Sequence, residues 1–240
     1  MELATARQLA DLNRRFYEAH AVAFAESRPR LHPGVRRVLG LIPPGARVLE
    51  LGCGDGKVGR WLAANAALAA YLGLDSSQAM LDRAREGSGM GVTFALADLT
   101  SPDWPQVLPP APFDWILAFA VFHHLPGFEA RARLLRQLAG HLTARGTLVM
   151  SNWQFTRSDR LQKRIVPWPE VNLNDSDVEQ NDFLLSWERE GRRGLRYVHV
   201  LDESEARQMA EGAGLAVVEV FRSDGVSGEL ADYVRMTKSG

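Results

Sequence analysis

The sequence predicts an α/β protein built on a mostly parallel, doubly wound sheet, and three observations carry that prediction. Between residues 46 and 152, short apolar runs alternate with amphipathic helical stretches, the rhythm of successive βαβ units. One run, FDWILAFAVF at 113–122, is nearly continuous in apolar residues, as strands covered on both faces are. Behind the first run lies LELGCGDGKVG, Leu49 to Gly59, with four glycines in eleven residues. Glycine at that density marks backbone that must come close to a bound group.

Taken in order, Leu3 to Phe24 repeats its apolar positions (Leu9, Leu12, Phe16, Ala19, Ala23) at helical spacing. His32-Pro33 opens a second short helix to Leu41, stopped by Pro43-Pro44-Gly45. RVLEL is a buried strand, followed by the glycine loop and a helix from Lys57 to Ala66. AAYLGLD is a second strand and SQAMLDRARE a helix that Ser76 or Ser77 can cap. VTFALAD, FDWILAFAVF and GTLVMSNW are the third, fourth and fifth strands, with FEARARLLRQLAGHL as a helix before the fifth. ESEARQMAEGAG, LAVVEVFRS and ELADYVRMTK close the chain as a helix and two strands, making seven strands with an antiparallel closing strand. Residues 154–200 are rich in charge and tryptophan without a clear period, so they are expected to be an insertion after the fifth strand. Ligands of open α/β sheets sit beyond the carboxyl ends of the strands, so this insertion is placed as a lid. The expected division is one domain over 1–240: a helical cap at 1–44, a binding core at 45–153, the lid at 154–200 and the closing elements at 201–240.

Apolar content of 46% and charged content of 24% are ordinary for a globular chain, and the net charge of −1 provides no global basic field for nucleic acid. The single cysteine, Cys53, excludes an internal disulfide. No run approaches the ~18 to 20 apolar residues of a membrane span and no signal-like apolar stretch opens the chain, so a cytoplasmic location is expected. Among 28 basic residues only Lys57, Lys163 and Lys238 are lysines, a bias that fits a GC-rich genome better than a binding signal.

Gly54, Gly56 and Gly59 satisfy G-x-G-x-x-G, the dinucleotide fingerprint, but Gly52-x-Gly54-x-Gly56 behind Glu50 reads differently. Glu50 and Asp55 would repel a pyrophosphate and attract a sulfonium with an amino group. Asp75, ending the second strand, can accept ribose hydroxyls from either kind of nucleoside. Asp98 ends the third strand, and three carboxylates ending three successive strands is not a dinucleotide pattern. Gly59 is read as helix packing. The loop resembles motif I (E-x-G-x-G-x-G) of class I S-adenosylmethionine methyltransferases. That resemblance implies a Rossmann-like fold, S-adenosylmethionine as methyl donor and S-adenosylhomocysteine as product. It implies cofactor contacts at Glu50, Gly52, Gly54, Gly56, Asp75, Ser76, Asp98, Leu99, Ala118 and His123, with His123 packing under the cofactor and Asp98 near the adenine amino group.

A second resemblance narrows the acceptor. NRRFYEAHAVAFAESRPRLHPGVRRVL is similar to the entry segment of the tRNA wobble-uridine carboxymethyl methyltransferases, a family that includes a domain fused to an AlkB-type hydroxylase; Phe16, Tyr17, Phe24 and Arg28 match. RIVPWPEV, NDFLLSWEREG and RYVHVLDESEARQMAEGAG follow that family's later segments in order, matching Trp168, Asp182, Phe183, Trp187, Arg196, Tyr197 and His199. Departures are Ser27 for threonine, LHP for P-W-P, and Leu125 for the tryptophan after His123-His124. The resemblance implies that Tyr17 and Arg28 lie near the cofactor carboxylate, and that tRNA and a small zinc-binding activator subunit are candidate partners.

A carboxylate acceptor needs no general base and must instead be held by cationic or hydroxyl donors. Arg196, Tyr197 and His199 are the candidates, with Tyr197 and His199 sharing one face of an extended segment. An amine or phenol acceptor would want a base, and His124 is the candidate. Arg157–Arg164 carries a net +3 and Glu188–Arg196 a net +2, flanking five acidic residues between Glu170 and Asp182. These patches can touch phosphates or simply be solvated. Beside a carboxylate methyltransferase, a small-molecule O- or N-methyltransferase and a cofactor-binding partner without turnover remain open. No Cys/His set with metal-ligand spacing is present.

Overall fold

The computed structural model describes residues 1–26, 30–87, 89, 91–189 and 191–239. Its elements are α1 (Leu3–Glu26), α2 (Pro33–Leu39), β1 (Arg47–Leu51), α3 (Lys57–Asn65), β2 (Ala70–Asp75), α4 (Gln78–Glu86), β3 (Val92–Leu96), β4 (Phe113–Phe119), α5 (Phe128–Gly140), β5 (Leu142–Trp153), α6 (Asp159–Gln162), β6 (Ile165–Val166), β7 (Asp182–Arg189), β8 (Arg192–His199), α7 (Glu203–Gly212), β9 (Leu215–Ser223) and β10 (Ala231–Lys238). Seven strands form one sheet in the order β3-β2-β1-β4-β5-β10-β9. β1 to β5 pair in parallel, and β10 runs antiparallel between β5 and β9. Strand order reverses between β1 and β4, so the carboxyl ends of those two strands open the crevice where a ligand belongs.

Two apolar layers cover the sheet. α5 and α7 pack Leu134, Leu135, Leu138 and Met209 on one face, and α2 and α3 pack Val35, Val38, Val58 and Leu62 on the other. This sandwiching explains the unbroken apolar run of β4. β4 ends at Phe119, earlier than its apolar run, because Ala120 takes a φ of 58° and residues 122–124 wind into a 3-10 turn. The helix before β5 stops at Gly140, and Leu142 already pairs with Phe113. Ser77, the expected cap, accepts from the Met80 N–H at 3.4 Å.

Residues 154–200 contain a periodic structure that their composition concealed. β6, β7 and β8 form a separate antiparallel sheet, with β7 and β8 joined in a hairpin around Gly191 at φ 75°. Its two faces are apolar against different neighbours: Leu184 and Tyr197 meet Leu9 and Trp168, while Leu185 and Val198 meet Phe155 and Leu161. A sheet buried on both faces loses the alternation that would have announced it. No described helix is long and apolar enough to cross a membrane.

Candidate active site

A cleft of about 850 Å³ opens over the carboxyl ends of β1, β2, β4 and β5, roofed by α1 and the small sheet. Its floor is the glycine loop. Gly52, Gly54 and Gly56 all have positive φ (63°, 54° and 78°), which only glycine adopts without strain. A side chain at Gly54 would meet no atom within 4 Å, so this position faces open cleft; at Gly56 it would strike Ala84 Cβ at 2.8 Å and Phe94 Cζ at 3.0 Å. Gly56 therefore serves the packing of the loop on α4 and β3 and does not itself line the cleft. At Gly59 an added side chain would meet the Tyr71 ring at 2.9 Å, so the last glycine of the nominal dinucleotide fingerprint is a packing residue.

The carboxylates cluster on this side. Asp75 accepts from the Gly54 N–H at 2.8 Å and the Ser77 N–H at 2.9 Å. Burial raises its pKa, and the backbone donors oppose that. Glu50 is 4% exposed and accepts the Tyr71 hydroxyl. Burial pushes its carboxyl up to about 8, and Asp75 and Asp55 add to the rise. Asp98 sits exposed after β3, its Oδ1 accepting from the Thr100 N–H and hydroxyl at 2.9 and 2.7 Å. Ser76, Leu99, His123 and Tyr17 also line the cleft. Ala118 is fully buried within β4 and does not line it, because it belongs to the core under the α5 layer. Arg28 lies outside the described residues.

The insertion adds mostly basic side chains to the lining. Arg160, Arg164, Arg189 and Arg196 come from the insertion, against one acid, Glu188. Arg196 is 3% exposed and lies against two rings, its guanidinium carbon 5.0 Å from the Trp153 centroid and 5.7 Å from that of Phe16. Tyr17 Oη and His124 Nε2 are 2.8 Å apart. His123 stacks edgewise on His124 with centroids 4.2 Å apart, and burial holds its pKa well below the ordinary value.

Two expected catalytic residues point elsewhere. Along β8 the side chains alternate, so Arg196 and the pair Tyr197 and His199 occupy opposite faces, and only Arg196 lines the cleft. Tyr197 donates to Asp182 Oδ1 at 2.6 Å, and His199 bridges Asp182 at 2.7 Å and Glu205 at 2.7 Å. Burial alone would lower His199, but its two carboxylate partners outweigh that and raise it. Arg131, 1% exposed, joins Glu205 and Glu179 at 2.7 and 2.9 Å. Glu179, Asp182 and His199 bring ligand-type atoms within 4.8 Å of one another. Both ring nitrogens of His199 are nevertheless engaged and Glu179 is paired to Arg131, so the cluster is a charge network tying the insertion to α5 and α7.

Asn13 is the site residue that sequence reasoning missed. It is 6% exposed, and its amide bonds Tyr197 and the His124 carbonyl. The signal was a polar side chain inside the apolar stripe of α1, between Leu9, Leu12 and Phe16.

Sheet order, with a glycine loop at the carboxyl end of β1 beside the switch point, is that of a Rossmann-like methyltransferase fold. Residues 49–148 match the family described as Methyltransferase domain. The chain is 37% identical over 153 residues to a trans-aconitate 2-methyltransferase of Methylobacterium nodulans, a match covering 63% of this chain and 55% of that protein. The chain thus spans about half the length of that relative. It is 22% identical over 218 residues to the tRNA (carboxymethyluridine(34)-5-O)-methyltransferase of Schizosaccharomyces pombe, covering 85% of this chain and 88% of that one. Among solved structures it is similar, at a TM-score of 0.64 and 17% identity over 95% of this chain and 97% of that chain, to a methyltransferase in complex with the Haloferax volcanii Trm112 methyltransferase activator.

Proposed function

We propose that this chain esterifies a carboxylate, using S-adenosylmethionine as methyl donor. The observation that carries the reading is Arg196, a desolvated guanidinium that lies against the Trp153 and Phe16 rings and lines the same cleft as the carboxylates Glu50 and Asp75. An acidic pocket suits a donor that carries a sulfonium and an ammonium, and a basic one suits an anionic acceptor. Both named relatives act on an acid: trans-aconitate in one, carboxymethyluridine in the other.

The residues present fit the donor. Asp75 offers its carboxylate toward a ribose, Gly54 leaves open space beside the backbone, and Glu50 places an ionisable group beneath them. Bound there, S-adenosylmethionine supplies an electrophilic methyl group. A carboxylate already holds its nucleophilic lone pair, so no residue has to remove a proton. Arg196 fixes the acceptor through a charge-assisted pair, and the Trp153, Trp187 and Tyr17 rings exclude water from it. Positioning and desolvation are what such a displacement requires.

The tRNA acceptor is the finer form of this reading, supported by the match to the S. pombe enzyme across most of both chains and by the basic rim. An activator subunit belongs with that form, supported by the likeness to the Trm112-bound methyltransferase. The experiment is labelled-methyl transfer to trans-aconitate and to bulk tRNA, with and without Arg196→Ala. Loss of transfer with cofactor affinity unchanged supports the role of Arg196. Unchanged transfer by the variant, or loss of cofactor binding, removes it.

A further inference from the structure

We infer that Asn13 is a positioning residue that holds His124 and Arg196 in register across the acceptor half of the cleft, a role that builds on reading this half as the place where the acceptor is held. Asn13 lies on α1 among apolar neighbours, yet it is 6% exposed and its amide is fully used. Its Oδ1 accepts from the Tyr197 N–H at 2.8 Å, and its Nδ2 donates to the Tyr197 carbonyl at 3.1 Å and to the His124 carbonyl at 3.1 Å. Tyr197 belongs to β8, whose pairing within the small sheet is with β7 alone. On its other edge the N–H and C=O of Tyr197 meet a single side chain instead of a strand. A primary amide imitates the peptide group here: it offers one acceptor and two donors in one plane. The two donors let it reach a second backbone segment as well.

That second segment is the turn of residues 122–125. Asn13 holds it by the His124 carbonyl, Arg131 by the Leu125 carbonyl at 3.0 Å, and Tyr17, one helical turn along α1, by the His124 ring at 2.8 Å. Arg196 precedes Tyr197 and projects from the opposite face of β8 into the cleft. Asn13 is therefore the point where α1, the β4–α5 turn and the lid strand meet, and its own polar atoms are spent on backbone. An aspartate keeps the acceptor but, when ionised, offers no donor to either carbonyl. An alanine leaves three backbone groups without this partner.

The test uses the full chain saturated with S-adenosylhomocysteine, so no acceptor is needed. Histidine and arginine side-chain NMR follows the His124 titration midpoint and the Arg196 Nε–Hε resonance, and calorimetry follows S-adenosylhomocysteine affinity. Asn13→Ala is expected to move the His124 midpoint by about half a unit or more and to displace the Arg196 resonance, with cofactor affinity changed less than about threefold. Asn13→Asp should displace the Arg196 resonance at pH 8 and let it return toward the wild-type position as the pH falls to about 5, where a protonated carboxyl regains one donor. Tyr197→Phe removes only the Asp182 contact, so it should lower the melting temperature and leave the His124 midpoint in place. If the alanine variant does not fold, the aspartate variant and its pH arm decide. His124 and Arg196 signals unchanged in the Asn13 variants would overturn the inference. So would equal displacement in Tyr197→Phe, which would mean general loosening. Absence of methyl transfer to any acid would refute the proposed function and leave these readouts standing.

Discussion

With the donor placed over Glu50 as proposed, its binding should depend on protons in a way that can be worked out from the surroundings of that carboxyl. It is 4% exposed, bonded to the Tyr71 hydroxyl, and held by burial at a pKa of about 8. A donor carrying a sulfonium and an ammonium binds best to the ionised carboxylate. Below pH 8 that ionisation must accompany binding, which costs about 1.4 kcal/mol, or tenfold in affinity, per pH unit. The dissociation constant for S-adenosylmethionine should therefore weaken by up to ~100-fold from pH 8 to pH 6. Folding carries the opposite sign. The unfolded chain ionises Glu50 above 4.5, whereas the unliganded native state keeps the proton until about 8. Stability is therefore lost as pH rises across that window, by at most about 5 kcal/mol. Glu50→Gln carries no charge at any pH, so it should flatten the affinity profile near the acidic limit and stabilise the unliganded protein at pH 8. Calorimetry with S-adenosylmethionine at pH 6, 7 and 8, in two buffers of different ionisation enthalpy, measures both affinity and proton release. Thermal melts of both proteins at pH 5 and 8 measure the folding side. Affinity independent of pH without proton release, or a Gln variant as pH-dependent as wild type, would refute the reasoning.

Other perturbations separate fold from site. Gly56→Ala should destabilise by about 1–3 kcal/mol, since the new methyl group meets Ala84 Cβ at 2.8 Å on a backbone with φ 78°. Gly54→Ala has open space and only backbone strain, so chemical denaturation should show the smaller loss while cofactor affinity drops more. His199 has a raised native pKa through Asp182 and Glu205, so its contribution is full below the unfolded value of 6.5 and is lost as pH climbs through the native one. His199→Gln should accordingly differ most from wild type in denaturant midpoint near pH 6 and converge toward it at alkaline pH. Arg131→Met should cost about 3–5 kcal/mol, because it removes the buried guanidinium between Glu179 and Glu205 and leaves Glu205 only His199; an unfolding free energy within about 1 kcal/mol of wild type would contradict that.

Local chemistry was legible in the sequence because it is written in contiguous residues. The glycine spacing behind Glu50, the carboxylates ending successive strands and the helix–strand rhythm each depend on neighbours a few positions apart, and they predicted the fold and pointed to the methyl donor. Alternation along RYVH already put Tyr197 and His199 on one face and so Arg196 on the other. Which of those faces borders the cleft depends on how the small sheet packs between α1 and Phe155, and composition carries no sign of that. The hairpin itself stayed hidden because both its faces are apolar. Asn13, Tyr197 and His124 are separated by 184 and 111 residues and meet only when α1 lies along β8. The carboxylates at the strand ends and the arginines of the insertion come to one cleft in the same way, from segments distant in the chain. The sequence by itself determined the sheet and the glycine loop at its switch point. Only the tertiary structure decided which side chains face the acceptor, because that depends on the packing of surfaces that have no sequence neighbours in common.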